Sequence, residues 1–172
     1  MPRRSRSAPV LLLCSLLASS PAFAVEISPE AMERYGNMAE ALLRDGVSRK
    51  TVAGAGHVPA YANFLAQKFQ QAGFPEQDIK VIPYGETAAL VVRYRGDGSS
   101  KRKSILLSSH MDVVGADPGD WERHPFELQE DDTFYFGRGV LDNKFDVSLL
   151  TTLFVWLKAE GFVPSRDLII AF

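Results

Sequence analysis

A long apolar segment with an apolar strand on either side constrains the fold of this chain more than any other feature. Residues 143–160 predict a helix that is apolar on nearly every side, and such a helix is buried over most of its surface. Short apolar runs at residues 105–107 and 167–172 predict buried strands before and after it. The segment therefore predicts a strand–helix–strand unit in which the helix lies against a sheet.

Upstream of this unit the sequence predicts two more helices and two more strands. Serine, proline and an acid at residues 28–30 are typical of a helix start, and Gly46 is typical of the position just past a helix end. The predicted helices and strands span residues 29–44, 59–72, 79–84 and 88–94, in that order. This order predicts the fold class α/β, with layers of helices on a mixed sheet.

The first 24 residues have the pattern of a secretory signal peptide. Three arginines within the first six residues precede an apolar run at residues 10–17, and Ala-Phe-Ala at residues 22–24 fits the cleavage rule. We expect cleavage before Val25 and export of the mature chain to the periplasm or the medium. The apolar run is shorter than the ~20 residues of a membrane span, so no membrane anchor is expected after cleavage.

The composition narrows the classes of function. The formal net charge is -2 and no long basic run occurs, so nothing in the sequence indicates nucleic-acid binding. Cys14 is the only cysteine, and it falls within the predicted signal peptide. The mature chain therefore has no cysteine for a disulfide, and a metal ion would have to be held by nitrogen and oxygen ligands.

Three polar side chains near the strand–helix–strand unit are suitable for a metal site. His110 and Asp112 follow the first apolar run in the spacing H-x-D, which places both side chains on one face of an extended chain. Asp142 follows a glycine turn directly before the apolar helix. Imidazole and carboxylate groups are ligands of zinc. The alternatives are structural: a hydrogen-bonded histidine at a strand end, and a carboxylate that caps a helix.

Several motifs occur in order between residues 110 and 144. They are His110-x-Asp112-Val113-Val114, Pro118, Trp121, Pro125-Phe126, Gly137-Arg138-Gly139 and Asp142-x-Lys144. Together they resemble the di-zinc exopeptidase and deacylase family. That family includes glutamate carboxypeptidases, aminoacylases, acetylornithine deacetylase and succinyl-diaminopimelate desuccinylase.

The resemblance implies a role for each of the three polar residues. It implies that His110 binds one zinc, that Asp142 bridges two zincs, and that Asp112 is the catalytic-site acid that holds the imidazole of His110. It also implies a cis peptide bond at Asp112–Val113, and we expect Lys144 to support the loop that delivers Asp142. A complete site of this kind holds two zinc ions, and Co2+ is an alternative.

The resemblance implies an activity, metal-dependent hydrolysis of a peptide or an N-acyl amino acid. In the family the general base is a glutamate in a Glu-Glu pair that follows a strand like the one at residues 167–172. We therefore expect residues 25–172 to be the N-terminal part of a zinc-hydrolase catalytic domain. The remaining ligands and a dimerisation domain would lie in a longer, homodimeric protein.

Two other functions fit the same residues. One is a non-catalytic exported fragment or binding module with at most weak metal binding. The other is an exported solute-binding domain in which His110 and Asp142 merely form hydrogen bonds.

Overall fold

A computed structural model describes residues 27–172 of the chain. The predicted signal peptide, residues 1–24, therefore lies outside the described residues. No helix within residues 27–172 is long and apolar enough to span a membrane.

The helices follow the predicted order, and their ends differ from the prediction at one informative position. The three α-helices of the described region are α1 (Pro29–Ser48), α2 (Val58–Gln71) and α3 (Phe145–Ala159). Ser28 caps α1 by accepting a hydrogen bond from the N–H of Ala31. The predicted end of α1 at residue 44 is wrong, because Gly46 lies inside the helix. A Cβ at Gly46 would lie 2.6 Å from the hydroxyl oxygen of Tyr61, so this glycine permits close helix packing.

The main sheet is mixed, as predicted. Its strands are β1 (Ile79–Tyr84), β2 (Thr87–Tyr94), β3 (Ile105–Ser108) and β6 (Leu168–Ala171). They lie in the order β1-β2-β6-β3, with antiparallel pairing except between β6 and β3, which are parallel. Two short strands, β4 (Gln129–Glu130) and β5 (Tyr135–Phe136), form a separate hairpin. The parallel neighbours β3 and β6 are joined through α3, which confirms the strand–helix–strand unit.

The core lies between one face of this sheet and the helices α2 and α3, and α1 packs on α3. Its fully buried side chains include Tyr61, Leu65, Phe69, Leu90, Val92, Phe154 and Ile170. Because α3 has α1 on one side and the sheet layer on the other, it is apolar over most of its surface. Two of its apolar side chains, Phe145 and Leu149, are not buried and remain about half exposed.

The opposite face of the sheet is open within the described residues. Ile82 of β1 and Leu106 of β3 point to this face and are 53% and 62% exposed. The described region therefore supplies one helical layer and the sheet of the predicted layered α/β fold.

Candidate metal centre

His110 and Asp112 lie just beyond the carboxyl end of β3, where ligand sites of α/β sheets commonly occur. The residues that follow α1 hold this segment in place. Val113 pairs in parallel with Val52, and its N–H donates to the carbonyl of Thr51 at 3.0 Å. The buried hydroxyl of Thr51 donates to the carbonyl of Met111 at 2.7 Å. Two hydrogen bonds therefore fix the backbone on which His110 and Asp112 are carried.

The glycine turn before Asp142 lies against this segment. Gly139 has φ +84°, a left-handed conformation that favours glycine. A Cβ on Gly139 would lie 2.6 Å from Cγ1 of Val113, so a larger residue would push the turn away from the strand end. The glycine of the motif is therefore explained by the close approach of the turn to the Val113 side chain as well as by the turn itself.

Asp142 does not cap α3. Asp142 and Asn143 have non-helical backbone angles, and the regular helix begins at Phe145, two residues after Asn143. The one cis peptide bond of the described residues is Asp142–Asn143, so the expectation of a cis bond at Asp112–Val113 is wrong. The carboxylate of Asp142 points to His110 instead of the helix N-terminus.

The structure brings the three predicted site residues together around one imidazole. Nε2 of His110 lies 2.7 Å from Oδ1 of Asp142. Nδ1 lies 3.1 Å from the backbone carbonyl oxygen of Asp112 and 3.3 Å from its Oδ1. The side chains of His110 and Asp142 are 46% and 85% exposed, so the site is open to solvent. The ligand roles that the resemblance implies remain predictions.

The surroundings of His110 favour its protonated form. Partial burial by itself lowers the pKa of His110, but the hydrogen bonds to Asp142 and Asp112 and the charges of both carboxylates outweigh it, so the pKa is raised. Each ring nitrogen faces an acceptor, and in the metal-free protein both nitrogens donate only when the ring is charged.

These donors fit one face of a zinc site. With the Nδ1 proton directed to Asp112, the lone pair of Nε2 points toward the Asp142 carboxylate, which is the arrangement that orients a histidine ligand. Within residues 27–172 no group of three or more His, Cys, Asp or Glu side chains is placed to hold a metal ion. The described residues thus offer an imidazole and a carboxylate, which are fewer ligands than zinc requires.

Lys144 connects this site to the end of α1. Its side chain is fully buried, and Nζ donates to the carbonyl oxygens of Gly46 and Arg49, each at 2.6 Å. Burial and the nearby charge of Arg49 lower the pKa of Lys144 to about 8, although Asp112 opposes this shift. The sequence motif indicated that Lys144 supports the loop. It could not indicate the two acceptors, which lie 98 and 95 positions away in the chain.

The remaining motif residues pack around the turn. The guanidinium of Arg138 lies over the Trp121 ring at 5.1 Å, and the N–H of Arg138 donates to the carbonyl of Pro125. Phe126 is buried. Asp146 is exposed to solvent one residue into α3. These contacts are structural, because they pack the loop against the turn.

Sequence comparison finds that the same segment is similar to a known family. Residues 106–172 match the model of peptidase family M20/M25/M40. Acetylornithine deacetylase from Dictyostelium discoideum is 38% identical over 82 residues, which make up 46% of this chain and 18% of that protein. The resemblance to the di-zinc peptidase and deacylase family is thereby confirmed for this part of the chain.

Two solved structures share the fold. The di-peptidase Dug1p from Saccharomyces cerevisiae matches with a TM-score of 0.67 and 21% identity, over 82% of this chain and 32% of that chain. The M20 family metallo-carboxypeptidase Sso-CP2 from Sulfolobus solfataricus matches with a TM-score of 0.63 and 17% identity, over 77% of this chain and 30% of that chain. The chain spans about a fifth of the curated relative and about a third of each solved chain.

Proposed function

Because residues 106–172 carry the sequence of peptidase family M20/M25/M40, we propose that the protein is a metal-dependent hydrolase of amide bonds. The observation that carries this proposal is the placement of His110 between Asp112 and Asp142, with Nε2 directed at a solvent-exposed carboxylate. A structural histidine at a strand end would need no second carboxylate with most of its surface in water. The site therefore has the chemistry of a ligand set.

Each of the three residues has a distinct task. His110 and Asp142 hold zinc or a similar divalent ion through Nε2 and the carboxylate. Asp112 keeps the proton on Nδ1 and so fixes the tautomer that leaves Nε2 free to bind. Bound zinc supplies Lewis acidity toward a substrate carbonyl and lowers the pKa of water to about 7. Proton transfer to the leaving amine falls to a general base outside this group of three.

The names of the relatives support a substrate class. One is named for deacetylation of acetylornithine, and two solved structures of the same fold are described as a di-peptidase and a metallo-carboxypeptidase. We propose a small peptide or an N-acyl amino acid as substrate. We further propose that the protein is exported, through the signal peptide predicted in residues 1–24, and that it acts as a homodimer.

The number of ligands sets a limit on what residues 27–172 do alone. Two metal ions would need more ligands than one imidazole and one carboxylate, and within residues 27–172 no group of three or more such side chains is placed to hold a metal ion. We propose that residues 27–172 bind at most one metal ion weakly and do not catalyse hydrolysis unaided. The same observation favours a second candidate, a non-catalytic exported binding module.

Zinc stoichiometry and hydrolysis measured together test the proposal. The assay uses dipeptides and N-acyl amino acids as substrates for the full gene product and for the 172-residue chain. Two zinc ions and chelator-sensitive hydrolysis are expected for a complete enzyme, and His110→Ala should abolish both. His124→Ala is the matched control, because its side chain is equally exposed at 46% and lies outside the group of three. Activity that survives His110→Ala overturns the assignment, and zinc binding without hydrolysis favours the binding module.

A further inference from the structure

We propose that Lys144 is a positioning residue that sets the carboxylate of Asp142 opposite Nε2 of His110. This inference rests on the proposed function, since it assigns to Lys144 the placement of a metal ligand. Lys144 itself touches neither substrate nor metal. It acts through the two-residue connection between its own backbone and Asp142.

The ammonium of Lys144 is bound to the backbone of the α1 end. It is fully buried and donates to the carbonyl oxygens of Gly46 and Arg49 at 2.6 Å. A buried charge is tolerated only where it is hydrogen-bonded, and a cation is favoured at the C-terminal end of a helix. The last turn of α1 carries no basic residue of its own. Lys144 adds a cation at this helix end, beside Arg49, the residue that caps α1.

The backbone of Lys144 is held as firmly as its side chain. Its N–H donates to the carbonyl of Gly139 at 2.8 Å, and its carbonyl accepts from the hydroxyl of Ser148 at 2.8 Å. Asp142, in contrast, is 85% exposed, and its side chain has His110 as its hydrogen-bond partner within the described residues. The neighbouring contact from Ser109 to the carbonyl of Asn143 is long, at 3.4 Å. Lys144 is therefore the strongest attachment near Asp142.

The segments that carry Asp142 and His110 are both hydrogen-bonded to the same short stretch of chain, residues 46–51. Lys144 binds the carbonyls of Gly46 and Arg49 and carries Asp142. Thr51, two residues further on, binds Met111 and Val113 on either side of Asp112 and so carries His110. The distance between the two proposed metal ligands, the His110 imidazole and the Asp142 carboxylate, is thus set by hydrogen bonds to one segment of backbone. Loss of the Lys144 attachment frees one donor and leaves the other in place.

Gly139 lies close to the lysine stem. A Cβ on Gly139 would lie 3.3 Å from Cδ of Lys144, which is tighter than most such contacts, so the glycine leaves room for the stem on this side.

The decisive variant is Lys144→Met, which keeps a linear apolar stem and removes the ammonium. We expect zinc affinity of the full gene product to fall by about 10- to 100-fold, the usual effect of losing a residue that orients a ligand, with an altered Co2+ absorption spectrum. The control is Thr151→Val, which removes a buried hydrogen bond inside α3 without touching the 46–51 stretch. It should leave both readouts unchanged well below the unfolding temperature.

A second variant tests the ammonium itself and covers a failure of Lys144→Met to fold. Lys144→Cys can be treated with 2-bromoethylamine, which restores an ammonium at nearly the same length, and residues 25–172 hold no other cysteine. Zinc affinity should recover to within a few-fold of wild type after this treatment. Wild-type affinity in untreated Lys144→Cys or in Lys144→Met overturns the proposal.

A metal-free readout separates this inference from the proposed function. The ring ¹⁵N shifts of His110, measured without metal, report its hydrogen bond to Asp142. They should change in Lys144→Met and stay constant in Thr151→Val. If the wild-type protein binds no zinc, the proposed function is overturned. The ring shifts still decide the role of Lys144, because unchanged shifts in Lys144→Met overturn its positioning role.

Discussion

Nε2 of His110 lies 2.7 Å from Oδ1 of Asp142, although the two residues are 32 positions apart and belong to different loops. The contact joins the end of β3 to the segment that precedes α3. It is also the point at which a metal ion would be held. The properties of His110 should therefore respond to changes at Asp142 even before any metal is added.

Asp142→Asn should lower the pKa of His110 in the metal-free protein. The substitution keeps the shape of the side chain and removes the charge that stabilises the imidazolium, so the raised pKa should fall toward the ordinary value. NMR titration of the ring measures the change. Asp146→Asn is the control, since Asp146 is an exposed acid four residues further on and should leave the titration unaltered.

Asp112→Asn should have a smaller effect on metal affinity than Asp142→Asn. Nδ1 of His110 lies closer to the backbone carbonyl of Asp112, at 3.1 Å, than to its carboxylate, at 3.3 Å. The carbonyl remains in the variant and still orients the ring, so we expect a loss of about 10-fold, the low end for such residues. Zinc titration of both variants gives the comparison. An equal loss in the two would mean that the carboxylate alone holds the ring.

Thr51→Val should destabilise the fold by about 1–3 kcal/mol. The change keeps the volume of the side chain but leaves the buried carbonyl of Met111 without the hydroxyl that now donates to it at 2.7 Å. The free energy of unfolding in urea measures this cost. Ser48→Ala removes a comparable hydroxyl-to-carbonyl bond at an exposed position and should change stability by no more than about 0.5 kcal/mol.

Gly46→Ala should destabilise by about 1–3 kcal/mol through overpacking, and Tyr61→Phe should partly relieve this. The new Cβ would lie 2.6 Å from the hydroxyl oxygen of Tyr61, which the second substitution removes, and 3.3 Å from the ring carbon behind it, which remains. A double-mutant cycle in urea should therefore show a favourable coupling between the two changes. Simple additivity would contradict the close approach of α1 and α2 at this point.

Asp167→Asn should reduce stability at neutral pH by about 1 kcal/mol and have no effect in acid. Asp167 accepts hydrogen bonds from the N–H of Gly96 at 2.9 Å and from Nε of Arg93 at 2.8 Å, and these partners lower its pKa. A carboxylate whose pKa is lowered in the folded state stabilises the fold fully at pH values above its unfolded-state pKa. It loses that contribution as the pH falls through its folded-state pKa. Urea unfolding across this acidic range measures whether the free energies of unfolding of the wild type and of Asp167→Asn converge. Asp132→Asn, another exposed acid, should show no such pH dependence.

The sequence predicted those parts of the site that are encoded by short local motifs. The spacing H-x-D after an apolar run placed His110 and Asp112 at a strand end, and the glycine turn placed Asp142 before α3. It could not predict what holds these parts together, because the partners of Lys144 are backbone carbonyls, which carry no residue-specific signal. The prediction that Gly46 lies just past the end of α1 was wrong for a related reason. From the sequence, a glycine that makes room for a neighbouring aromatic ring cannot be distinguished from a glycine that ends a helix.

The attachment of both donors to residues 46–51 has a consequence for thermal motion. A shift of the α1 end as a rigid body carries Lys144 and Thr51 with it in the same direction. Because both segments are hydrogen-bonded to residues 46–51, we expect Asp142 and His110 to move in step, so that motion of the helix changes the distance between Nε2 of His110 and the Asp142 carboxylate little. An open, solvent-exposed site can keep a constant width in this way without being rigid itself.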